Sequence, residues 1–142
     1  MTITSTIAER SAEIVEEFAL FDDWFGRYEH LIEQGRDLPE IEDEYKTEDY
    51  RIRGCQSQVW MRAEDSADGT VHYKADSDAL ITRGLVALMI RVLDQQPADA
   101  IVSAELDFLD DIGMNEHLSS TRKNGLHAMI KQMKRYALAL TN

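Results

Sequence analysis

Gln58-Val59-Trp60-Met61-Arg62-Ala63-Glu64-Asp65-Ser66-Ala67-Asp68-Gly69-Thr70-Val71-His72-Tyr73-Lys74-Ala75 is the stretch that decides the fold. Its first part alternates. Val59, Met61 and Ala63 fall on one face of an extended chain, and Trp60, Arg62 and Glu64 on the other. Residues 65–69 read as a turn. Asp68-Gly69 is its strongest signal, because glycine enters the left-handed backbone region without steric cost. Residues 70–75 return as a second strand. Residues 50–53, just upstream, add a short third one, giving an antiparallel meander. A sheet this small does not stand alone and must pack on helices. The expected class is therefore α+β, with a small three-stranded antiparallel sheet packed against helices.

Outward from the hairpin the period changes. Residues 77–93 predict a strongly apolar helix, with Leu80, Ile81, Leu85, Leu88, Met89, Val92 and Leu93 recurring three and four apart. It is the expected central helix. Asp76 or Ser77 is a natural N-cap for it, and Asp78 suits its first turn. Gly84 inside it costs about 1 kcal/mol relative to alanine, and close backbone packing is the reason to carry it. Residues 7–34 read as helical, capped by Ser5 or Ser11, broken into two helices at Asp22-Asp23 and ended by Gly35. Trp24, Phe25, Tyr28, Leu31 and Ile32 on the second of these read as core. Pro97 opens a short helix over 98–104, and Phe108 and Leu109 anchor a connector. A last helix runs from Ser119 or Ser120 to about residue 140, with Leu126, Met129, Ile130, Met133 and Ala137 on one stripe.

Composition bounds the function classes. The chain has 142 residues, 44% apolar and 30% charged, which is ordinary globular usage and suits a single domain over 1–142. A formal net charge of −12 argues against nucleic acid and against an anionic membrane surface, both of which need clustered cations. One cysteine forms no internal disulfide and holds no iron–sulfur cluster or Cys-rich zinc site. Residues 1–10 lack the basic start and apolar run of a signal peptide. The longest apolar run, 84–90, is far short of the roughly 20 residues of a membrane span. A cytoplasmic, reducing location is expected.

Cys55 is the strongest nucleophile by type. Gly54 puts a permissive backbone position directly before it, between two predicted strands, which places the thiol at a loop tip. Arg51 and Arg53 flank it, and nearby cations favour a thiolate. Gln56, Ser57 and Gln58 bring amide and hydroxyl donors. The competing reading is an inert buried thiol, since free cysteine is among the most buried residue types. His30, His72, His117 and His127 lie in no local catalytic signature. His72 with Asp76 and Asp78 imitates a metal site, but a strand histidine followed by helix-start carboxylates explains the same residues, and no metal is expected. The acidic run 40–49 reads either as a solvated loop or as a docking surface for a basic partner.

Gly54-Cys55-Gln56-Ser57-Gln58-Val59-Trp60 resembles the signature of the SufE-type cysteine desulfuration (sulfur-acceptor) proteins. Three more segments agree in order: Gly35-Arg36-Asp37-Leu38-Pro39 with Glu44-Tyr45-Lys46-Thr47, Asp76-Ser77-Asp78-Ala79 with Gly84-Leu85, and Leu118-Ser119-Ser120-Thr121-Arg122-Lys123-Asn124-Gly125-Leu126. The resemblance implies a SufE/IscU-like fold and a mechanism. A PLP-dependent cysteine desulfurase (SufS-like or CsdA-like) holds sulfur as a persulfide. The Cys55 thiolate takes the outer sulfur, stimulates the desulfurase, and passes the sulfur to an iron–sulfur scaffold complex (SufBCD-like). The carrier binds no cofactor of its own, since PLP belongs to the partner. Arg51, Gly54, Gln56, Ser57 and Gln58 would support the loop, and Asp76, Asp78 and Arg122 would position it or contact the partner. The residues alone leave two other classes open, a Cys-dependent hydrolase with a histidine base and a non-catalytic interaction module.

Overall fold

The computed structural model describes residues 6–54, 57–66 and 68–140. Helix α1 spans Ile7–Phe18 and α2 spans Trp24–Arg36. Two 3-10 turns, Asp43–Tyr45 and Glu48–Tyr50, lead to strands β1, Val59–Asp65, and β2, Thr70–Ser77. Helix α3, Leu80–Leu93, is followed by the two-residue strand β3, Gln96–Pro97. Among the described residues four helices follow: α4 (Ala98–Ser103), α5 (Phe108–Asp111), α6 (Met114–His117) and α7 (Ser120–Ala139).

The hairpin forms with the expected faces. Met61 pairs with Ala75 and Ala63 with Tyr73, so the apolar residues of both strands share one side. The Ser66 N–H donates to Thr70 O at 2.9 Å, and Gly69 takes the positive φ, +84°, that the turn needs. Two phenols then fasten this hairpin to α7. Tyr73 Oη donates to Met133 O at 2.6 Å, and Tyr136 Oη to Met61 O at 3.0 Å. The third strand is not the expected one. Residues 50–53 contribute a single bridge, Arg51 to Trp60, while β3 pairs antiparallel with β2 on its other side.

Helix α3 is central, packing on α1, α2, α7 and β2. Ile81, Leu85, Leu88, Met89, Val92 and Leu93 are all buried. The helices α2 and α3 cross at Gly35 and Gly84. A methyl on Gly35 would lie 2.7 Å from Gly84 N. Gly35 therefore sits inside α2 at the crossing instead of ending the helix.

Other local expectations shift for physical reasons. Thr6, not Ser11, caps α1: its Oγ1 accepts from Glu9 N at 3.1 Å and the Glu9 carboxylate accepts from Thr6 N at 3.1 Å, a reciprocal capping box. Ser11 instead donates to Ile7 O, one turn back, at 2.8 Å. Ser5 lies outside the described residues. Phe25, read as core, is 71% exposed, and Leu20 is 80% exposed at the corner between α1 and α2. Strand β2 runs on through Ser77, so α3 starts only at Leu80, with Ala79 as a cap that offers no side-chain bond. Asp76 is thus a buried strand residue and not an N-cap.

Glu17 ties three helices together. Its carboxylate meets Arg91 Nη2 of α3 at 2.6 Å and His30 Nε2 of α2 at 2.5 Å. The hydrogen bond from Arg91 holds its carboxyl below the ordinary glutamate value, against an opposing effect of burial. A depressed acid stabilises the fold above its unfolded pKa, about 4.3, and that contribution is lost as the pH falls. Glu17→Gln should therefore flatten the decline of the urea midpoint between pH 5 and pH 3. Equal declines in the two proteins would refute the linkage.

Candidate functional site

The loop that carries the single cysteine is closed at its base. Ile52 is buried, and its N–H donates to Val59 O at 2.8 Å, which ties the residue that enters the loop to the first residue of β1. Gly54 adopts φ +92°, where only glycine sits without strain, and a Cβ there would come 3.3 Å from Ala128 Cβ of α7. Cys55 and Gln56 lie outside the described residues. Beyond them, Ser57 Oγ accepts from Thr82 Oγ1 at 3.4 Å.

Asp78 holds the returning arm. Its Oδ1 accepts from Gln58 N at 3.0 Å, and its own N–H donates to Gln58 O at 3.3 Å. The acid is exposed and precedes α3 instead of sitting in its first turn. Thus three elements grip the loop: β1 at the base, the entry to α3 at Gln58, and α7 at Gly54.

Beside Ser57 lies a cleft of about 110 Å³ between α3 and α7. Ser57, Thr82, Thr121 and Arg122 give it hydroxyl and guanidinium donors, over an apolar floor of Leu85 and Met129. Arg122 is set by two contacts. Its backbone N–H is capped by Ser119 Oγ at 3.3 Å, and its guanidinium donates to Tyr28 Oη of α2 at 2.9 Å. Donors of this kind suit an anion, a thiolate included.

The other residues singled out from the sequence are placed elsewhere. Arg51 and Arg53 both reach Glu48, at 3.2 and 3.1 Å, so one carboxylate offsets the two cations that flank the thiol in sequence. Asp76 sits under the site as a strut. Its Oδ1 accepts from Arg83 Nη1 at 2.8 Å and from Ser77 N at 2.8 Å, and Lys46 Nζ lies 3.7 Å from Oδ2. Arg83 goes on to donate to Gly35 O at 2.7 Å and to Leu38 O. His72 pairs with Asp94 Oδ1 at 3.1 Å, not with Asp76 or Asp78. His30 pairs with Glu17, and His117 stacks on Trp24 at 4.6 Å. His127 is on the exposed face of α7. Among the described residues no three metal-ligating side chains come together, and no helix is long and apolar enough to cross a membrane.

Thr82, Thr121, Tyr28 and Ala128 were not legible as site residues. Thr121 lies within the segment 118–126 that carries part of the family resemblance; the other three are ordinary helix residues brought in by packing alone.

Comparison with known proteins agrees with the resemblance. The family model described as SufE, Fe-S metabolism associated domain, matches residues 12–137. An uncharacterized SufE-like protein from Rhizobium meliloti is 39% identical over 126 residues, covering 86% of this chain and 90% of that protein. SufE-like protein 1, chloroplastic/mitochondrial, from Arabidopsis thaliana is 38% identical over 128 residues, covering 90% of this chain and 34% of that protein. The solution structure of a hypothetical protein from Thermus thermophilus has TM-score 0.75 over 92% of this chain and 95% of that one, at 19% identity. That likeness is one of fold alone.

Proposed function

The chain belongs to the SufE family, whose domain is associated with Fe-S metabolism, and from this premise we propose that it is a sulfur acceptor and carrier. The Cys55 thiolate attacks the outer sulfur of a persulfide held on a PLP-dependent cysteine desulfurase. One S–S bond forms as the other breaks. Cys55 leaves as the persulfide and the desulfurase cysteine as a thiolate, with no net oxidation. Unloading the desulfurase frees it for another turnover, and an iron–sulfur scaffold complex then takes the sulfur from Cys55. PLP stays with the desulfurase. A reducing, cytoplasmic compartment suits this chemistry, because it keeps a lone thiol free.

The observation that supports this reading best is the closed loop. The only cysteine of the chain follows a glycine at positive φ. Both arms of its loop are tied to the scaffold, at Ile52–Val59 and at Gln58–Asp78. Asp78, through Gln58, is the positioning residue for the returning arm. Ser57, Thr121 and Arg122 offer an anionic sulfur a polar cleft. A lone carrier thiol is also the right number, since a second nearby thiol would resolve a persulfide into a disulfide.

The test is intact mass after mixing the chain with a cysteine desulfurase and free cysteine without reductant. The expected result is a gain of about 32 Da, one sulfur atom, removed by reductant and absent in a folded Cys55→Ser variant. No gain with any of several desulfurases would overturn the carrier reading.

A further inference from the structure

One concavity of the surface is unused by this mechanism. A groove of about 870 Å³ runs between α1 on one side and β3, α4 and α5 on the other. Ala8, Ala12, Val15, Ala100 and Phe108 give it an apolar lining. Its rim carries Glu105, Asp107 and Asp111, and no lysine, arginine or histidine is among the described residues that line it. Gln95, at one end, is held at φ +59°, a left-handed conformation that residues with a side chain rarely adopt. Such strain gathers at ligand clamps. Thr70, at the tip end of the hairpin, also lines the groove, whereas the cysteine loop joins β1 at the opposite end, Val59. Seven residues of strand separate the two ends, roughly 20 Å.

We propose that this groove docks an amphipathic helix with basic flanks, belonging to the protein that receives the sulfur. An apolar trough between helices fits the apolar face of a further helix. Alanines at 8 and 12 on α1 and at 100 on α4 leave room for its close approach. Three rim carboxylates, on a chain of net charge −12, select lysine and arginine at its edges. Donor and receiver must each reach the same cysteine, so they compete for the loop end. A surface at the far end lets the receiver hold the carrier through that exchange. The proposal rests on the carrier reading above.

The experiment uses the full chain, a cysteine desulfurase and the iron–sulfur scaffold complex. Affinity of the unloaded chain for the scaffold complex is measured by biolayer interferometry, and loading by the desulfurase is followed by intact mass. Ala12→Arg places a cation on the groove wall at an exposed site, and Glu105→Lys/Asp107→Lys reverses the rim. Both should weaken scaffold binding by about tenfold or more, with loading changed by no more than roughly twofold. Added salt should weaken the wild type more than the rim variant. Unchanged scaffold binding in a folded Ala12→Arg variant overturns the proposal, as does a wild type that does not bind the scaffold complex. Loss of loading with scaffold binding intact would assign the groove to the donor and also overturn it. Failure of wild-type loading, with groove-dependent scaffold binding preserved, would sink the carrier reading and leave the docking site standing.

Discussion

Gly84→Ala should lower the stability of this protein by about 2–3 kcal/mol, and Gly84→Val by more. Local preference points the other way. Alanine is favoured over glycine inside a helix by about 1 kcal/mol, so the packing penalty has to exceed that gain. It does so because the neighbour is main chain. A methyl at position 84 would be driven into the Leu31 carbonyl oxygen and would lie 2.9 Å from the Leu31 carbonyl carbon and 3.0 Å from Leu31 Cγ. Gly35 answers from the other helix, facing Gly84 N and Cα. A flexible side chain could swing aside, but a helix backbone moves only by separating α2 from α3. That would open the packing around Leu31, which is fully buried, and break the Arg83 bond to Gly35 O. Since small proteins hold only about 5–15 kcal/mol in total, the valine variant approaches the threshold for folding. Thermal and urea unfolding read the effect directly. A Gly84→Ala variant as stable as the wild type would show that the crossing relaxes freely.

Asp76→Ala should cost about 3–5 kcal/mol, because it leaves a partly buried guanidinium without its counter-charge. The Asp76 side chain is 3% exposed and that of Arg83 19%. The pair does more than neutralise. Arg83 also satisfies Gly35 O and Leu38 O, the carbonyls at the end of α2, so losing Asp76 loosens the helix end that carries the glycine crossing. Asp78, two residues on, is the natural control. It is exposed, and its bond to Gln58 is worth about 1 kcal/mol, so Asp78→Ala should spare stability while freeing one arm of the cysteine loop. An Asp76→Ala/Arg83→Met double variant should recover part of the loss, because both charges then leave together. If urea unfolding gave Asp76→Ala and Asp78→Ala the same small cost, the strut reading of Asp76 would be wrong.

How much of this was legible in the sequence depended on how local the signal was. The alternation of Val59, Met61 and Ala63 and the Asp68-Gly69 turn specified the hairpin and its buried face. The apolar stripe of α3 and the lone Gly84 specified a central helix with a close neighbour. Strand β3 was not legible, because two residues carry no period, while residues 50–53 have strand-like types but pair only at Arg51. Asp76 misleads because an acid before an apolar helix has the sequence signature of a cap. Only the continuation of β2 through Ser77 shows that its side chain turns inward. The Thr6–Glu9 capping box, by contrast, was present in the sequence and outranks Ser11 on spacing alone. The positive-φ turn at Gly54 and the return to β1 at Val59 were legible, while the placement of Cys55 at a loop tip lies outside the described residues. The cleft beside Ser57 was not legible. Thr82 and Thr121 come from α3 and α7, Tyr28 from α2, and only packing brings them to one place.

The hydrogen bond from Ile52 to Val59 and the Gln58–Asp78 pair have a consequence for insertions and deletions. They settle both anchors of the segment 53–58 before its length matters. Loop closure grows only slowly with length, by about 0.6 kcal/mol for each doubling, so one added residue would barely trouble folding. For the sulfur transfer proposed above, that same residue would shift the reach of the thiol by up to about 3.5 Å, as much as the whole separation of reacting atoms in a near-attack geometry. On that reading the length of this segment matters more to the chemistry than to the fold. On the carrier reading, a gene gaining one codon here would still yield a folded protein, but one whose thiol overshoots its target.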